Sequence, residues 1–296
     1  MNYYNEIKQE LINNEIYKKV KDYSKNRSDL NTYYNVGKLL SEAGKHYGEG
    51  IIKQYSIKLT NELGKGYTFT SLARMKQFYY ITEKLATLSQ YLTWSHYCEL
   101  IPLENIQKIK YYIKIIEEQN LSVRELRNRI KNKEYERLDD KTKESLIQDN
   151  DNITIESYIK NPIIIKNNLN KTEITEKVLK QLILEDLDNF LKELGEGFCY
   201  LENEYKIKLG NRYNYIDMLL FNIKFNCYVV VELKVVELSK EHIGQVQMYM
   251  NYINKNVKTV TQSDTVGIII CKKNNQYIIE YCSNTNIFST TYEIKN

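Results

Sequence analysis

The sequence predicts an α+β chain: an all-α N-terminal domain with a helix-turn-helix-like outline, then an α/β domain built on a mixed sheet. Three observations predict it. Residues 1–138 hold a single proline, Pro102, and their apolar residues recur at helical spacing. Beyond residue 163 the pattern shifts to β-branched and apolar runs. The order there is a long helix, three strand patterns, a helix and two more strand patterns, which leads to a mixed sheet flanked by helices. At 296 residues the chain has room for two domains.

Bulk properties narrow the class. The composition is 42% hydrophobic and 27% charged, which excludes a wholly disordered chain. No apolar run reaches the roughly 18 residues of a spanning helix. The start, MNYYNEIKQELINNEIYKKV, has no signal-peptide core, so a cytoplasmic location is expected, with no membrane partner. Cys98, Cys199, Cys227, Cys271 and Cys282 form no C-x-x-C pair and are expected to be reduced, buried thiols. His46, His96 and His242 are too scattered for a zinc site. Residues 1–138 carry 23 Lys+Arg and 16 Asp+Glu, a net of +7, whereas the remainder nets −3. A basic N-terminal half admits a polyanion partner.

In the first domain, Tyr33, Val36, Leu39, Leu40 and Ala43 form one helical face, and Ile52, Tyr55, Leu59 and Leu63 another, with Gly64 placed to end that helix. After the turn KGYTFT, a helix capped by Thr68 or Thr70 turns Leu72, Met75, Phe78 and Leu85 inward. Helix, glycine turn and capped helix make a helix-turn-helix outline, a weak signal alone. Two helices follow Pro102, the second opened by a Ser122–Glu125 capping box. Residues 139–162 are polar and acidic and read as a linker. In 163–296, TEITEKVLKQLILEDLDNFLKELGEG reads as one long helix, stopped by Gly195 or Gly197. Then come FCYLENEYKIKL, NRYNYIDMLLF and CYVVVELKVVEL as strands, SKEHIGQVQMYMNYI as a helix, and TVGIIICK and YIIEYC as final strands joined by a KNNQ turn.

Charges inside these strands need a reason. Alternation puts Glu232 and Lys234 on one side of their strand, and a hairpin through NIKFNC brings Asp217 beside Glu232. Burying such groups uncompensated costs several kcal/mol each. One compensation is an ion pair, Glu232–Lys234 or Asp217–Lys234. The other is a site for a hard divalent cation held by two carboxylates, beside which a lysine orients or deprotonates a water attacking a phosphodiester. Asp, a spacer, then E-x-K is the order of the PD-(D/E)XK nucleases, and alone it is a loose pattern. On the following helix Ile243, Val246, Met250 and Ile253 form the apolar stripe. Gln245 and Tyr249, four apart, share a face that the helix can turn to the site.

The chain resembles the YhcG-like family, in which a helical domain precedes a restriction-endonuclease-like PD-(D/E)XK nuclease domain. The resemblance runs from about residue 30 to the end. It is carried by NELGKGYTFTSLARMKQFY, LTWSHY, EQNLSVRELRNRI, YERL, FLKELGEGF, YNYIDMLLF, CYVVVELK, GQVQMYMNYI and VGIIICK. It implies metal-dependent nuclease chemistry with Mg²⁺ or Mn²⁺, Asp217 and Glu232 as metal ligands, Lys234 as the catalytic lysine, and site roles for Gln245 and Tyr249. One position departs from the family. Where the family often has Leu-Glu in the long helix, this chain has Leu179–Lys180; Glu176 is the expected substitute and Glu185 a second candidate. Lys65, Arg74 and Lys76 are the candidate phosphate contacts of the helical domain. His96 reads as a packing and hydrogen-bonding residue and Trp94 as core. The expected function is a metal-dependent nuclease on double-stranded or branched DNA, targeted by the N-terminal domain, with a homodimer left open. The alternative is a catalytically degenerate nuclease fold that serves as a DNA-binding or protein-interaction module.

Overall fold

The computed structural model describes residues 3–19, 25–48, 50–85, 89, 91–140, 142–143, 154–282 and 286–295. The chain divides into two compact units, Met1–Tyr135 and Glu136–Asn296. No helix among the described residues is long and apolar enough to cross a membrane.

The first unit is helical: α1 (Tyr3–Lys19), α2 (Lys25–Tyr47), α3 (Gly50–Leu63), α4 (Phe69–Leu85), α5 (Trp94–Leu100), α6 (Ile106–Gln119) and α7 (Val123–Lys131). The predicted faces meet in one core. Val36, Leu40, Ala43, Ile52, Tyr55, Leu59, Leu72 and Met75 are buried together, with Tyr33, Leu39, Leu63 and Trp94 packed at the edge. The backbones of α2 and α4 approach closely at Gly37, where a Cβ would lie 2.2 Å from the Met75 carbonyl oxygen. Gly64, at φ +94°, ends α3 and donates its N–H to the Thr60 carbonyl at 3.0 Å. Thr68, not Thr70, caps α4, its hydroxyl accepting the Ser71 N–H at 3.2 Å. The Ser122–Glu125 capping box forms as expected.

The second unit contains β1 (Ile163–Lys166), α8 (Glu176–Glu185), α9 (Leu187–Leu194), β2 (Phe198–Leu209), β3 (Arg212–Asn222), β4 (Cys227–Glu237), α10 (Lys240–Asn256), β5 (Val266–Lys273), α11 (Gln276–Cys282) and β6 (Ile287–Lys295). The sheet order is β1-β6-β5-β4-β3-β2. The pairs from β1 to β4 are parallel, and β4–β3 and β3–β2 are antiparallel, so the sheet is mixed as predicted. Val229, Val231 and Leu233 pack with α8 and α9. Val230 packs with Ile243, Val246, Met250 and Ile253 of α10. A near-continuous apolar strand such as β4 is what a sheet covered on both faces demands.

Several elements differ from the sequence reading. The long helix is two helices, broken at Asp186, whose φ −131° and ψ 52° are not helical and whose carboxylate takes Lys166 at 2.8 Å. The break keeps the apolar residues of both halves, Leu179 and Leu182 with Phe190 and Leu194, on one core. YIIEYC is helix α11, and the last strand is IFSTTYEIK. The reason is topological: β5 and β6 are parallel, and parallel neighbours need a crossover instead of a tight turn. The short run IIIK, not predicted as a strand, forms the edge strand β1 beside β6. Cys227 and Cys271 are buried as expected, but Cys98 is half-buried and Cys199 and Cys282 are exposed.

Of the stretch expected as a linker, residues 141 and 144–153 lie outside the described residues. Ile155 and Ile159 are buried in the core of the second unit. Arg137, from YERL, forks onto Glu193, from FLKELG, with Nη2–Oε1 at 3.1 Å. Glu193 also accepts the Ile164 N–H at 2.9 Å, and Arg137 donates to the Pro162 carbonyl at 2.7 Å. Both side chains are nearly fully buried. A pair this deep is costly to break from one side, because the remaining charge is stranded.

His96 is a structural hydrogen-bonding residue, in line with its sequence reading. Its Nδ1 accepts the Thr93 N–H at 3.1 Å, and its Nε2 lies 3.0 Å from the Leu121 carbonyl, which requires the neutral Nε2–H tautomer. Burial lowers its pKa, partly opposed by the Leu121 bond. The unfolded chain thus takes up this proton more readily. The stability from the neutral ring is present above the unfolded value of about 6.5 and is lost as pH falls below it. Thermal melts from about pH 7.5 down to about pH 5.5 should show a falling Tm, with a smaller fall in His96→Gln. Equal slopes for the two proteins would remove His96 from that account.

Candidate active site

β3 and β4 pair with Met218 opposite Val231 and Leu219 opposite Val230. The same register, one residue on, sets Asp217 opposite Glu232, as the hairpin reading expected. On the other side of β3, Asn203 faces Met218 and Tyr205 faces Ile216, so Glu204 of β2 falls opposite Asp217. Three acids therefore lie in one row across β2, β3 and β4.

Each acid has a defined environment. Asp217 Oδ2 accepts the Leu233 N–H at 3.0 Å, and Oδ1 lies 2.7 Å from Lys180 Nζ. Lys180 also reaches Glu204 Oε1 at 3.3 Å. Glu232 is 3% exposed; its Oε1 takes Lys234 Nζ at 2.9 Å, while its Oε2 is buried with no hydrogen-bond partner. Burial, then the Asp217 charge, pushes the Glu232 pKa up to about 7 against the opposing pull of Lys234. Burial lowers the pKa of both lysines, but the neighbouring carboxylates outweigh it and hold them above the ordinary lysine value. Both are therefore ammonium ions at neutral pH.

The predicted helix residues are placed as follows. Glu176, in the first turn of α8, has Oε2 3.9 Å from Lys234 Nζ, so it reaches the lysine end of the site. Glu185 is exposed at the far end of α8, nine residues or about 13 Å along the helix, and is not brought to the pair. On α10, Gln245 Nε2 donates to the Tyr249 hydroxyl at 2.9 Å. Burial raises the Tyr249 pKa; Gln245 and Lys234 oppose it, and Glu232 and Asp217 add to it. Gln245 and Tyr249 thus form a hydrogen-bonded pair, and the Tyr249 hydroxyl feels the charges of Glu232 and Asp217. His242 instead closes the start of α10, Nδ1 accepting the Ser239 N–H at 3.1 Å. Glu204 had no place in the sequence reading. Its signal was available in the hairpin register, since a third acid opposite Asp217 follows once β2 and β3 are aligned.

In the first unit, Lys65 is exposed in the turn after α3 and Arg74 is exposed on α4. Lys76 is half-buried on α4, with Nζ 5.9 Å from the Tyr80 ring centroid.

Asp217 and Glu232 are the residues that could hold a metal. Their oxygen donors suit a hard divalent ion, and Glu232 Oε2 is a buried acceptor in need of a cation or donor. Among the described residues no group of three or more His, Cys, Asp and Glu side chains forms a metal cage. Mg²⁺ commonly uses only one or two carboxylates, completed by water and substrate phosphate.

Acid, acid and lysine on adjoining strands of a mixed sheet define a nuclease-type domain, and residues 156–295 match the family described as "YhcG PDDEXK nuclease domain". Residues 7–137 match "DUF1016 N-terminal domain". The chain belongs to the YhcG-like family of PD-(D/E)XK nucleases. The protein named "Putative nuclease YhcG" of Escherichia coli (strain K12) is 24% identical, over 81% of this chain and 76% of that relative. Two solved structures are similar over part of the chain. A repair endonuclease from Pyrococcus abyssi has 19% identity, covers 41% of this chain and 48% of its own, and gives a TM-score of 0.29. The EndoMS–dsDNA2 complex has 16% identity, covers 44% and 50%, and gives a TM-score of 0.31. The chain spans about half the length of each of these two.

Glu232 and Lys234 form a buried pair beside a further acid, so removing the lysine alone strands a buried carboxylate. Lys234→Met should cost about 2–4 kcal/mol of unfolding free energy in metal-free buffer. The double change Glu232→Gln/Lys234→Met should recover most of that loss. Denaturant titration of wild type, Lys234→Met, Glu232→Gln and the double variant measures the coupling; additive effects would mean the pair is not coupled.

Proposed function

We propose that the protein is a divalent-metal-dependent nuclease that hydrolyses phosphodiester bonds in DNA and is targeted by its N-terminal helical unit. The observation that carries the reading is the buried, unpartnered Oε2 of Glu232 in the same row as Asp217. A folded protein does not retain such an oxygen for stability. A hard cation, Mg²⁺ or Mn²⁺, held by Asp217 and Glu232 would satisfy it. When bound, the ion supplies charge stabilisation at phosphate oxygens and lowers the pKa of a coordinated water.

The chain's own residues supply the rest. Lys234, an ammonium between Glu232 and Glu176, donates hydrogen bonds that position the attacking water or hold a phosphate oxygen. Glu176 fixes that ammonium from α8. Gln245, oriented by its bond to Tyr249, offers an amide to the water or to the sugar-phosphate backbone. The nucleic acid has two candidate contact surfaces. Lys65, Arg74 and Lys76 flank the turn and helix α4 in the basic first unit, and a capped helix after a tight turn is suited to a duplex groove. In the second unit Lys206 pairs opposite Tyr215 and Lys208 opposite Tyr213, with Lys206 Nζ 3.9 Å from the exposed Tyr213 ring. Tyr213 and Tyr215 stand four and two residues before Asp217 on β3, at about 14 and 7 Å from it along the strand. Cations beside stacking rings suit a strand leading to the site.

The competing reading, a degenerate fold that only binds, is favoured by one observation: Lys180 stands where an acid is expected and pairs with Asp217. Plasmid, linear duplex, branched DNA and single-stranded RNA incubated with Mg²⁺ or Mn²⁺ decide between them. Metal-dependent cutting that falls at least about a hundredfold in Lys234→Ala and in Asp217→Ala is expected. No cutting by wild type, with salt-sensitive DNA binding, would establish the binding module. In EDTA, Lys206→Glu/Lys208→Glu and Lys65→Glu/Arg74→Glu should each weaken DNA binding. Each should also flatten the salt dependence by about one unit for every phosphate no longer neutralised. Anisotropy titrations that leave either double variant unchanged would remove that surface from the interface.

A further inference from the structure

We propose that Lys180 is a resident cation of the carboxylate row, and that it makes uptake of a divalent ion depend on a bound phosphodiester. The inference rests on the metal reading above and deepens it.

Lys180 is not a loose surface lysine. Its side chain is 16% exposed and its ammonium is held between two acids, 2.7 Å from Asp217 and 3.3 Å from Glu204. Glu204 sits at φ +53°, a backbone state that non-glycine residues in strands seldom adopt, and it meets Lys180 from there. Lys234 occupies the other end, between Glu232 and Glu176. The row Glu204, Asp217, Glu232 and Glu176 therefore carries two internal cations of its own.

This changes what a divalent ion gains on arrival. One Asp217 oxygen holds Lys180 and the other holds the Leu233 N–H, so the free acceptor capacity is concentrated on Glu232 Oε2. An incoming ion also meets the fixed ammonium of Lys180, and like charges at this range in a partly buried site repel strongly. A phosphodiester adds the anionic charge that offsets both cations. Linkage then makes the effect reciprocal: the phosphodiester raises ion affinity, and the ion raises phosphodiester affinity by the same factor. Glu204 acts as a positioning residue that keeps Lys180 at the row when Asp217 turns to the ion.

The test is calorimetric titration of the full chain with Ca²⁺, with and without a short duplex whose integrity is checked afterwards on a gel. Wild type should bind Ca²⁺ weakly alone and at least about tenfold more tightly with duplex. Lys180→Met should bind Ca²⁺ at least about tenfold more tightly without duplex, and the duplex should then add little. Lys180→Arg, which keeps the charge, should behave as wild type and guards against a mere folding effect. Lys180→Met binding no tighter than wild type, or keeping the full duplex effect, overturns the role of Lys180 while leaving the metal site standing. No Ca²⁺ or Mn²⁺ binding by wild type under either condition, or binding undiminished in Asp217→Asn, overturns the metal reading and this inference with it.

Discussion

A carboxylate buried inside a sheet with one oxygen unpaired is an expensive object, and the second unit is organised around holding it. Glu232 is 3% exposed in a strand whose neighbours are Val229, Val230, Val231 and Leu233. Leu233 and Val231 are pinned by the α8–α9 core and Val230 by α10, so the backbone of β4 cannot rotate Glu232 out to water. The apolar packing on both faces of β4 confines the charge, and Lys234 moderates the cost without removing it. A protein can retain such a group when its function uses the unsatisfied atom.

The helices that enclose the row bring charged and polar side chains as well as packing. α8 buries Leu179, Leu182 and Ile183, and the same helix places Glu176 and Lys180, four residues apart, at Lys234 and Asp217. α10 buries Ile243, Val246, Met250 and Ile253, and carries the hydrogen-bonded pair Gln245 and Tyr249. Gly267 of β5 makes that packing close: a Cβ there would lie 2.4 Å from Val246. α10 also opens as α5 does, with a hydroxyl residue before the first turn and a histidine three further on accepting its N–H. The Arg137–Glu193 fork joins the start of this unit to β1 and α9, which explains why YERL and FLKELGEGF belong to one pattern though far apart in sequence.

Much of this is legible in the order of residues. The period-two patterns of YNYIDMLLF and CYVVVELKVVE, joined by a short loop, already bring Asp217 to Glu232, because a hairpin leaves little freedom of register. The apolar stripe of α10 fixes which of its side chains can face the sheet. The N-terminal core follows from helical spacing alone. Short apolar runs are harder. YIIEYC and IIIK are too brief for periodicity to separate helix from strand, and each is decided by its neighbour across the sheet.

The order of residues is enough to specify the elements with strong periodicity, the hairpin that joins two acids, and the presence of a lysine where an acid was expected. Local patterns set these, since alternation and helical spacing depend only on near neighbours. Tertiary structure alone decided the break at Asp186, the crossover through α11, the meeting of Glu204 with Asp217, and the pairing of Lys180 with both. Those outcomes depend on distances between residues remote in the chain. Such distances follow from how whole elements pack, and no short window of sequence carries them.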